Sequence, residues 1–504
     1  MSGEMKQIGL CGFIKSESVK SMKTLPSLSF LAIAGAIASA AQAQPPALTV
    51  YNQDFAVVRE HVSLDLASGI NQISFPGVTT SLEPDSVVLR DPAGNVDLRI
   101  LEQSYRAETA SPGLLLSLYE GKVIDFVVRN QDGGEYTVPG RVVRSGWTPA
   151  GGSESPIVEV DGKLRFSLPG EPVFPDLGGD TILRPTLNWT LAAPAAGKVD
   201  AEVSYLTGGL SWEAAYNLIL PETGDRMDLV GWVTVHNQSG KRFDEAAVKL
   251  MAGNVNKLAP AQKPAPRAEM MMMARMADAD VTEKAFDEFH LYTLPRSLTL
   301  RDQETKQVEF TRATGVPFKT IYVYDGAQIA NYRGWNTEMM RTNPDYGAQS
   351  NEQVWVMREF KNTSEAGLGL PLPAGRMRFY RRDEADNRLE FTGENVIKHT
   401  PQGETLRIYT GDAFDLVGER KQTDFSYDKR TETADEAFEI RVRNRKKEPA
   451  QIRVVEHLNR GLNWRVVEKS ADFEKMSAQD IQFTVNLAPD EEKVITYRVR
   501  YDYR

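Results

Sequence analysis

Strict alternation of apolar and polar residues at the C-terminal end is the feature that most restricts what this chain can become. Ile495, Tyr497, Val499, Tyr501 and Tyr503 are separated one by one by Thr496, Arg498, Arg500 and Asp502. Ile481, Phe483, Val485 and Leu487 alternate in the same way with Gln482, Thr484 and Asn486. Side chains of a strand point to opposite faces in turn, so a period of two gathers each apolar set on one face, whereas a helix would scatter it. The intervening Ala488-Pro489-Asp490-Glu491-Glu492 is a turn, which makes the two runs an antiparallel pair with one face buried. Phe438, Ile440 and Val442 against Glu439, Arg441 and Arg443 predict a third such strand. Short strands broken by Gly, Pro and Asp turns at intervals of about ten residues indicate a sandwich or barrel rather than βαβ units. The expected fold class is therefore mainly β, with several antiparallel β-sandwich (immunoglobulin-like) modules.

An internal repetition points the same way. Three strands end on an asparagine turn: Trp232–Asn237, Val356–Asn362 and Phe438–Asn444. Asn237 and Asn362 also fit the N-x-S pattern of a glycan acceptor. Asparagine tolerates left-handed turn geometry, however, and a three-residue pattern recurs by chance, so a strand-ending turn is the preferred reading.

Two stretches interrupt the β pattern. Residues 148–155 are rich in Gly, Ser and Pro, and the strands around them, Val123–Arg144 and Ile157–Leu168, resemble a small β-barrel inserted over residues 120–168. From Ala259 the chain turns Pro- and Ala-rich and runs on through Met270-Met271-Met272-Met273-Ala274-Arg275-Met276. Such a sequence lacks the pattern needed to pack, so residues 257–285 are expected to be a disordered or helical linker. It would separate an N-terminal β region, 44–256, from a C-terminal β-sandwich region, 286–504.

The first 43 residues predict export. Lys23 precedes an uncharged stretch whose apolar part, Leu28–Ala41, is too short for a membrane span of about 20 residues and has the length of a signal-peptide core. Ala41-Gln42-Ala43 supplies the small-x-small site, placing cleavage after Ala43. Translation is expected to start at Met22, with Met1–Ser21 an extension. The single cysteine, Cys11, lies within that extension, so the mature chain would contain none and would rest on packed cores rather than disulfides. Cleavage removes four lysines and two glutamates, and the net charge of −10 becomes −12. A surface this acidic repels phosphate backbones, so nucleic acid is not an expected partner. No later segment is apolar enough to anchor the mature chain, which is expected to be soluble.

Several runs carry a resemblance: Val50-Tyr51-Asn52-Gln53-Asp54, Ser204–Trp212, His290–Pro295, Leu372–Tyr380 and Gly411–Phe425. Together they resemble a bacterial family of uncharacterised exported proteins that share a C-terminal domain of unknown function with mucoidy-inhibitor-A-like proteins. The resemblance covers the mature chain. It implies an all-β, envelope-facing protein and brings no activity, ligand or catalytic residue.

The chain has no G-x-S-x-G elbow, H-E-x-x-H, P-loop or G-x-G-x-x-G, and its five histidines (His61, His236, His290, His399 and His457) stand singly. The most charged motif holds Asp412, Asp415 and Glu419, candidates for a carboxylate pair in glycoside hydrolysis. Alternation would set Phe414, Leu416 and Gly418 on one face and Asp415, Val417 and Glu419 on the other. The preferred reading is a strand edge where Glu419, Arg420 and Lys421 form solvated ion pairs. Met270, Met271, Met272, Met273 and Met276 offer thioethers that suit Cu(I), but contiguous methionines point in all directions. Trp335 and Tyr346, in an Asn- and Asp-rich stretch, are candidates for stacking on sugar rings, set against the commoner role of closing a core. No cofactor is expected. The functional expectation is a non-catalytic exported protein that binds or organises envelope proteins or polysaccharides; the alternatives are an envelope glycan hydrolase and Met-rich copper handling.

Overall fold

The computed structural model describes residues 44–130, 132–148, 154–177, 181–257, 282–286 and 289–504, the strand 282–286 by its backbone alone. The expected signal segment, its expected cleavage site after Ala43 and the methionines Met270–Met273 and Met276 lie outside the described residues. Residues from Gln44 onward form one compact unit.

The C-terminal alternation becomes strands with the expected faces. Ile495, Tyr497, Val499 and Tyr501 lie on Glu492–Asp502 and are all buried. Antiparallel pairing with Thr433–Asn444 sets Tyr497 opposite Phe438, and the two rings stack at 5.4 Å. A second layer, Ala450–His457 with Asp480–Leu487, supplies Ile452, Val454, Ile481, Phe483 and Val485 to the same core. Phe483 meets Tyr497 across the layers at 5.7 Å, so this half of the molecule is a sandwich with two inner faces.

A larger core fills the other half. Phe55–Leu66 and Gly197–Gly208 pair along their full lengths. The three-stranded sheet of Gly69–Pro76, Thr186–Ala193 and Arg99–Arg106 packs Leu187, Trp189 and Leu191 into the core that those strands share. One thirteen-stranded sheet carries both cores. In it, Leu210–Leu220 and Arg226–Asn237 pair with each other; the first also runs parallel to Gly375–Arg382 and the second antiparallel to Glu304–Asp325.

These pairings bear on the expected linker. Phe243–Ala252, before it, pairs antiparallel with Phe289–Thr293, after it, through Lys249 opposite Thr293 and Ala252 opposite His290. The regions expected to stand apart on either side of 257–285 therefore interlock strand by strand. The composition break lies, in sequence, between strands that pair with each other.

The insert also differs from expectation. It is an open five-stranded antiparallel sheet in the order Glu171–Val173, Val123–Arg129, Glu135–Arg144, Ile157–Val160, Lys163–Arg165. The two outermost strands are three residues long and pair on one side only, so no barrel closes. Phe126, Val142 and Val158 are fully buried in a small core of its own.

The three asparagine turns are one device used three times. Asn237, Asn362 and Asn444 are all wholly buried. Asn237 Nδ2 donates to the carbonyls of Lys241 (2.8 Å) and Arg301 (3.0 Å), Asn362 Nδ2 to Leu370 (2.8 Å) and Pro401 (2.9 Å), and Asn444 Nδ2 to Glu448 (2.9 Å) and Ala488 (3.0 Å). Each Oδ1 accepts a backbone N–H, from Ser239, Gly369 and Lys446 respectively. Amides so engaged satisfy loop carbonyls that would otherwise be buried unpaired, and they are not presented for glycosylation.

Candidate functional site

The two cores share strands, and the site lies where neither core covers them. On Glu304–Asp325, Phe318, Thr320, Tyr322 and Tyr324 face one way; Phe318 belongs to the larger core and Tyr324 to the smaller. The neighbouring strand Gln353–Lys361 repeats the pattern: Phe360 enters the larger core, Val354 the smaller, and Val356 and Arg358 lie between. Arg358 stands opposite Thr320 in register and Val356 opposite Tyr322. These four residues floor a groove of about 590 Å³.

A bulge builds one wall. Trp355 pairs with Asp412 of the next strand, Thr405–Asp428, but Gln353 pairs with Val417, so residues 413–416 bow out of register. The expected alternation breaks here: Leu416 is buried, whereas Phe414 is 97% exposed at the groove's rim. The remaining walls are the turn after Leu220, Arg381 of Gly375–Arg382, and Lys446 with Glu448 just beyond Asn444.

Three cations meet in the groove. Lys446 donates to the Tyr322 hydroxyl at 2.8 Å and pairs with Glu448. Arg381 donates to the Glu222 carbonyl, and Arg358 to the Thr320 hydroxyl. Neither arginine pairs with a carboxylate among the described residues, and Arg358 Nε is buried with no acceptor. Burial, reinforced by the like charge of Arg381 and opposed by the Tyr322 hydroxyl, holds the Arg358 guanidinium below its ordinary pKa.

The three candidate carboxylates have separate surroundings. Asp415 lines the groove; Asp412 accepts a hydrogen bond from Tyr409 at 3.0 Å; Glu419 pairs with Arg443 at 2.5 Å. Trp335 and Tyr346 do come together, in a three-ring cluster with Tyr332 (Tyr332–Trp335 5.3 Å, Tyr332–Tyr346 5.2 Å). There Tyr346 is buried and Trp335 half-buried.

Beneath that cluster lies a buried ionic network that the sequence reading missed. Arg420, expected in a solvated pair, is buried with its Nε on both Glu456 oxygens (2.8 and 3.0 Å) and its guanidinium 3.9 Å from the Phe438 ring centre. Tyr497 donates to Glu456 at 2.5 Å. Arg460 pairs with Glu436 at 2.6 Å and donates to the carbonyls of Met340, Asn343 and Tyr346, while Tyr501 completes Glu436 at 2.9 Å. Arg420 reaches the Gly347 carbonyl at 2.6 Å. Together the two arginines fasten the segment 340–347 onto the smaller sandwich.

His457, one of the scattered histidines, is clamped between Asp480 (Nδ1, 2.6 Å) and Asp325 (Nε2, 3.1 Å). Its hydrogen bond to Asp325, opposed by burial and aided by Asp480, raises its pKa to about 9. Among the described residues no set of three or more His, Cys, Asp or Glu side chains is arranged to hold a metal ion, and no helix is long and apolar enough to cross a membrane.

A family model described as Domain of unknown function (DUF4139) matches residues 201–504, more than half of the chain and every residue of the groove. No curated protein and no solved structure matches.

Proposed function

The chain belongs to the DUF4139 family, and we propose that it is an exported, non-catalytic protein, allied to mucoidy-inhibitor-A-like proteins, that binds a component of the cell envelope. The groove between the two cores is the binding surface. The observation that carries the reading is Phe414, an aromatic ring held almost wholly in water on a bulge beside a concave, cation-lined floor. Exposed aromatics beside fixed polar groups are common anchors in ligand sites. A volume of about 590 Å³ falls in the range of such sites. Binding is preferred over glycan hydrolysis because Asp412 and Glu419 are engaged by different partners, Tyr409 and Arg443, and only Asp415 of the three lines the groove. In addition, every described carboxylate with a displaced pKa, such as Glu448 and Asp480, is displaced downward and held charged, the opposite of a poised general acid.

The test is retention of fractionated envelope polysaccharide and protein on immobilised full-length protein, wild type against Phe414→Ser. The ring that is removed faces solvent, so the variant is expected to fold normally. Retention that falls at least severalfold in the variant supports the reading; equal retention, or none by wild type, overturns it.

A further inference from the structure

We propose that the groove recognises an oxyanion, a carboxylate or a phosphate, carried on a ring-shaped body, with the oxyanion on Arg358 and Arg381 and the ring on Phe414. This rests on the binding role given to the groove above and assigns its chemistry.

Arg358 occupies an inward position on a strand whose other inward residues, Val354, Val356 and Phe360, are apolar. A guanidinium in that place gives up much of its hydration, and elsewhere in this protein the same situation is met with a carboxylate: Arg420 has Glu456 and Arg460 has Glu436. Arg358 has only the Thr320 hydroxyl, its Nε has no acceptor, and the like charge of Arg381 acts on it. Two guanidinia facing one groove without a carboxylate between them make a receptor for the planar, multi-oxygen anions that arginine binds in bidentate fashion. The acids nearby do not supply that partner. Glu448 is paired with Lys446 and acts on Arg381 only at longer range, Glu222 accepts the Glu384 backbone N–H at 2.8 Å, and Asp415 lines the groove from the bulge without an ion pair to either arginine.

The bulge explains why the ligand should carry a ring. Had Thr405–Asp428 kept register, Phe414 would share the inward face of Leu416, whereas the bow in residues 413–416 turns it out to the rim of the arginine-lined groove. An inorganic anion would leave that ring unused. A sugar or aromatic body bearing the oxyanion would cover it while its charge reached the floor.

The test uses full-length protein and calorimetric titration with phenyl phosphate and with benzoate, against benzyl alcohol as the neutral analogue and inorganic phosphate as the ring-free one. Wild type should bind phenyl phosphate, benzoate or both, and bind benzyl alcohol and inorganic phosphate at least about tenfold more weakly, the loss expected for one charge-assisted contact or one aromatic contact. Preference between the two anionic probes identifies which oxyanion the site takes. Arg381→Met, at the exposed rim, and Phe414→Ala should each weaken the preferred probe about tenfold with unchanged melting temperature; Arg358→Met should do so more strongly if it folds. Binding of neither anionic probe, or binding unaltered by Arg381→Met and Phe414→Ala, overturns the proposal. Should envelope material still be retained in a Phe414-dependent way while neither probe binds, the oxyanion chemistry fails and the binding role stands. Should the probes bind at the groove while retention is independent of Phe414, the chemistry stands and the envelope role fails.

Discussion

Arg420 and Glu456 form a salt bridge from which water is excluded on both sides, the guanidinium Nε reaching both carboxylate oxygens and the Tyr497 hydroxyl closing the set. Removing one charge strands the other in a place where it cannot be hydrated. Arg420→Met and Glu456→Gln should each cost about 3–5 kcal/mol, whereas the double variant carrying both changes should cost clearly less than the sum. Urea midpoints of the four proteins check this; strict additivity would mean that the pair does not act as a unit.

His457 makes stability depend on pH. Its pKa is raised from 6.5 in the unfolded chain to about 9 in the folded one, so the folded state holds the proton more tightly. That stabilisation is complete below pH 6.5 and is lost as pH rises through 9, a change on the order of 1–3 kcal/mol. The difference in unfolding free energy between wild type and His457→Gln should therefore shrink steadily from pH 6.5 to 9.5. A constant difference would show that the Asp325–His457–Asp480 clamp does not hold a charged ring.

Asn444 should tolerate no substitute. Asn444→Ala leaves the Glu448 and Ala488 carbonyls and the Lys446 N–H without partners, and should cost about 2–5 kcal/mol. Asn444→Asp keeps the acceptor but turns a negative oxygen toward two carbonyls, and should be at least as damaging. Thermal or urea unfolding of both variants decides it, with a loss below about 1 kcal/mol for either counting against the role described.

A chain cut between residues 258 and 281 should stay in one piece. With a specific protease site placed there and cleaved, Phe243–Ala252 still pairs with Phe289–Thr293, and Leu210–Leu220 with Gly375–Arg382. The two fragments should elute together in gel filtration under native conditions and part only in denaturant. Separation into two folded pieces without denaturant would contradict the shared sheets.

Much of this architecture was legible because period-two patterning speaks directly about faces. Ile495, Tyr497, Val499 and Tyr501 are buried as their spacing required, and the asparagine turns recur where the repetition placed them. What failed was longer in range. The pairing of Phe243–Ala252 with Phe289–Thr293 joins residues across a stretch whose composition reads as a border, and local sequence carries no record of that pairing. The bulge at 413–416 slips one strand against another, which turns Phe414 outward although its spacing from Leu416 predicts burial. The buried charges did leave a signal. Arg358 follows Val354 and Val356, Glu456 follows Ile452 and Val454, and Glu436 follows Ala434, each a charge at an inward step of an apolar stripe. Reading Arg420 as part of a charged run hid that it continues the stripe of Leu416 and Gly418. Which of these charges is met by a partner and which is left facing a groove depends on where two cores stop, and that is a property of tertiary packing alone.

The parallel pairing of Leu210–Leu220 with Gly375–Arg382 sets an order of events on the chain as it is made. Parallel strands need a long connection, and here the connection contains both Arg226–Asn237 and Glu304–Asp325, which must themselves pair before the sheet is continuous. The N-terminal strands thus emerge with an apolar edge whose natural neighbour has not yet been synthesised. Non-local pairing of this kind is intrinsically slow and leaves the partner strands exposed to wrong pairing until the second half arrives. A helper that keeps the first half from closing on itself, or a passage that delivers the whole polypeptide unfolded, would suit it better than domain-by-domain folding.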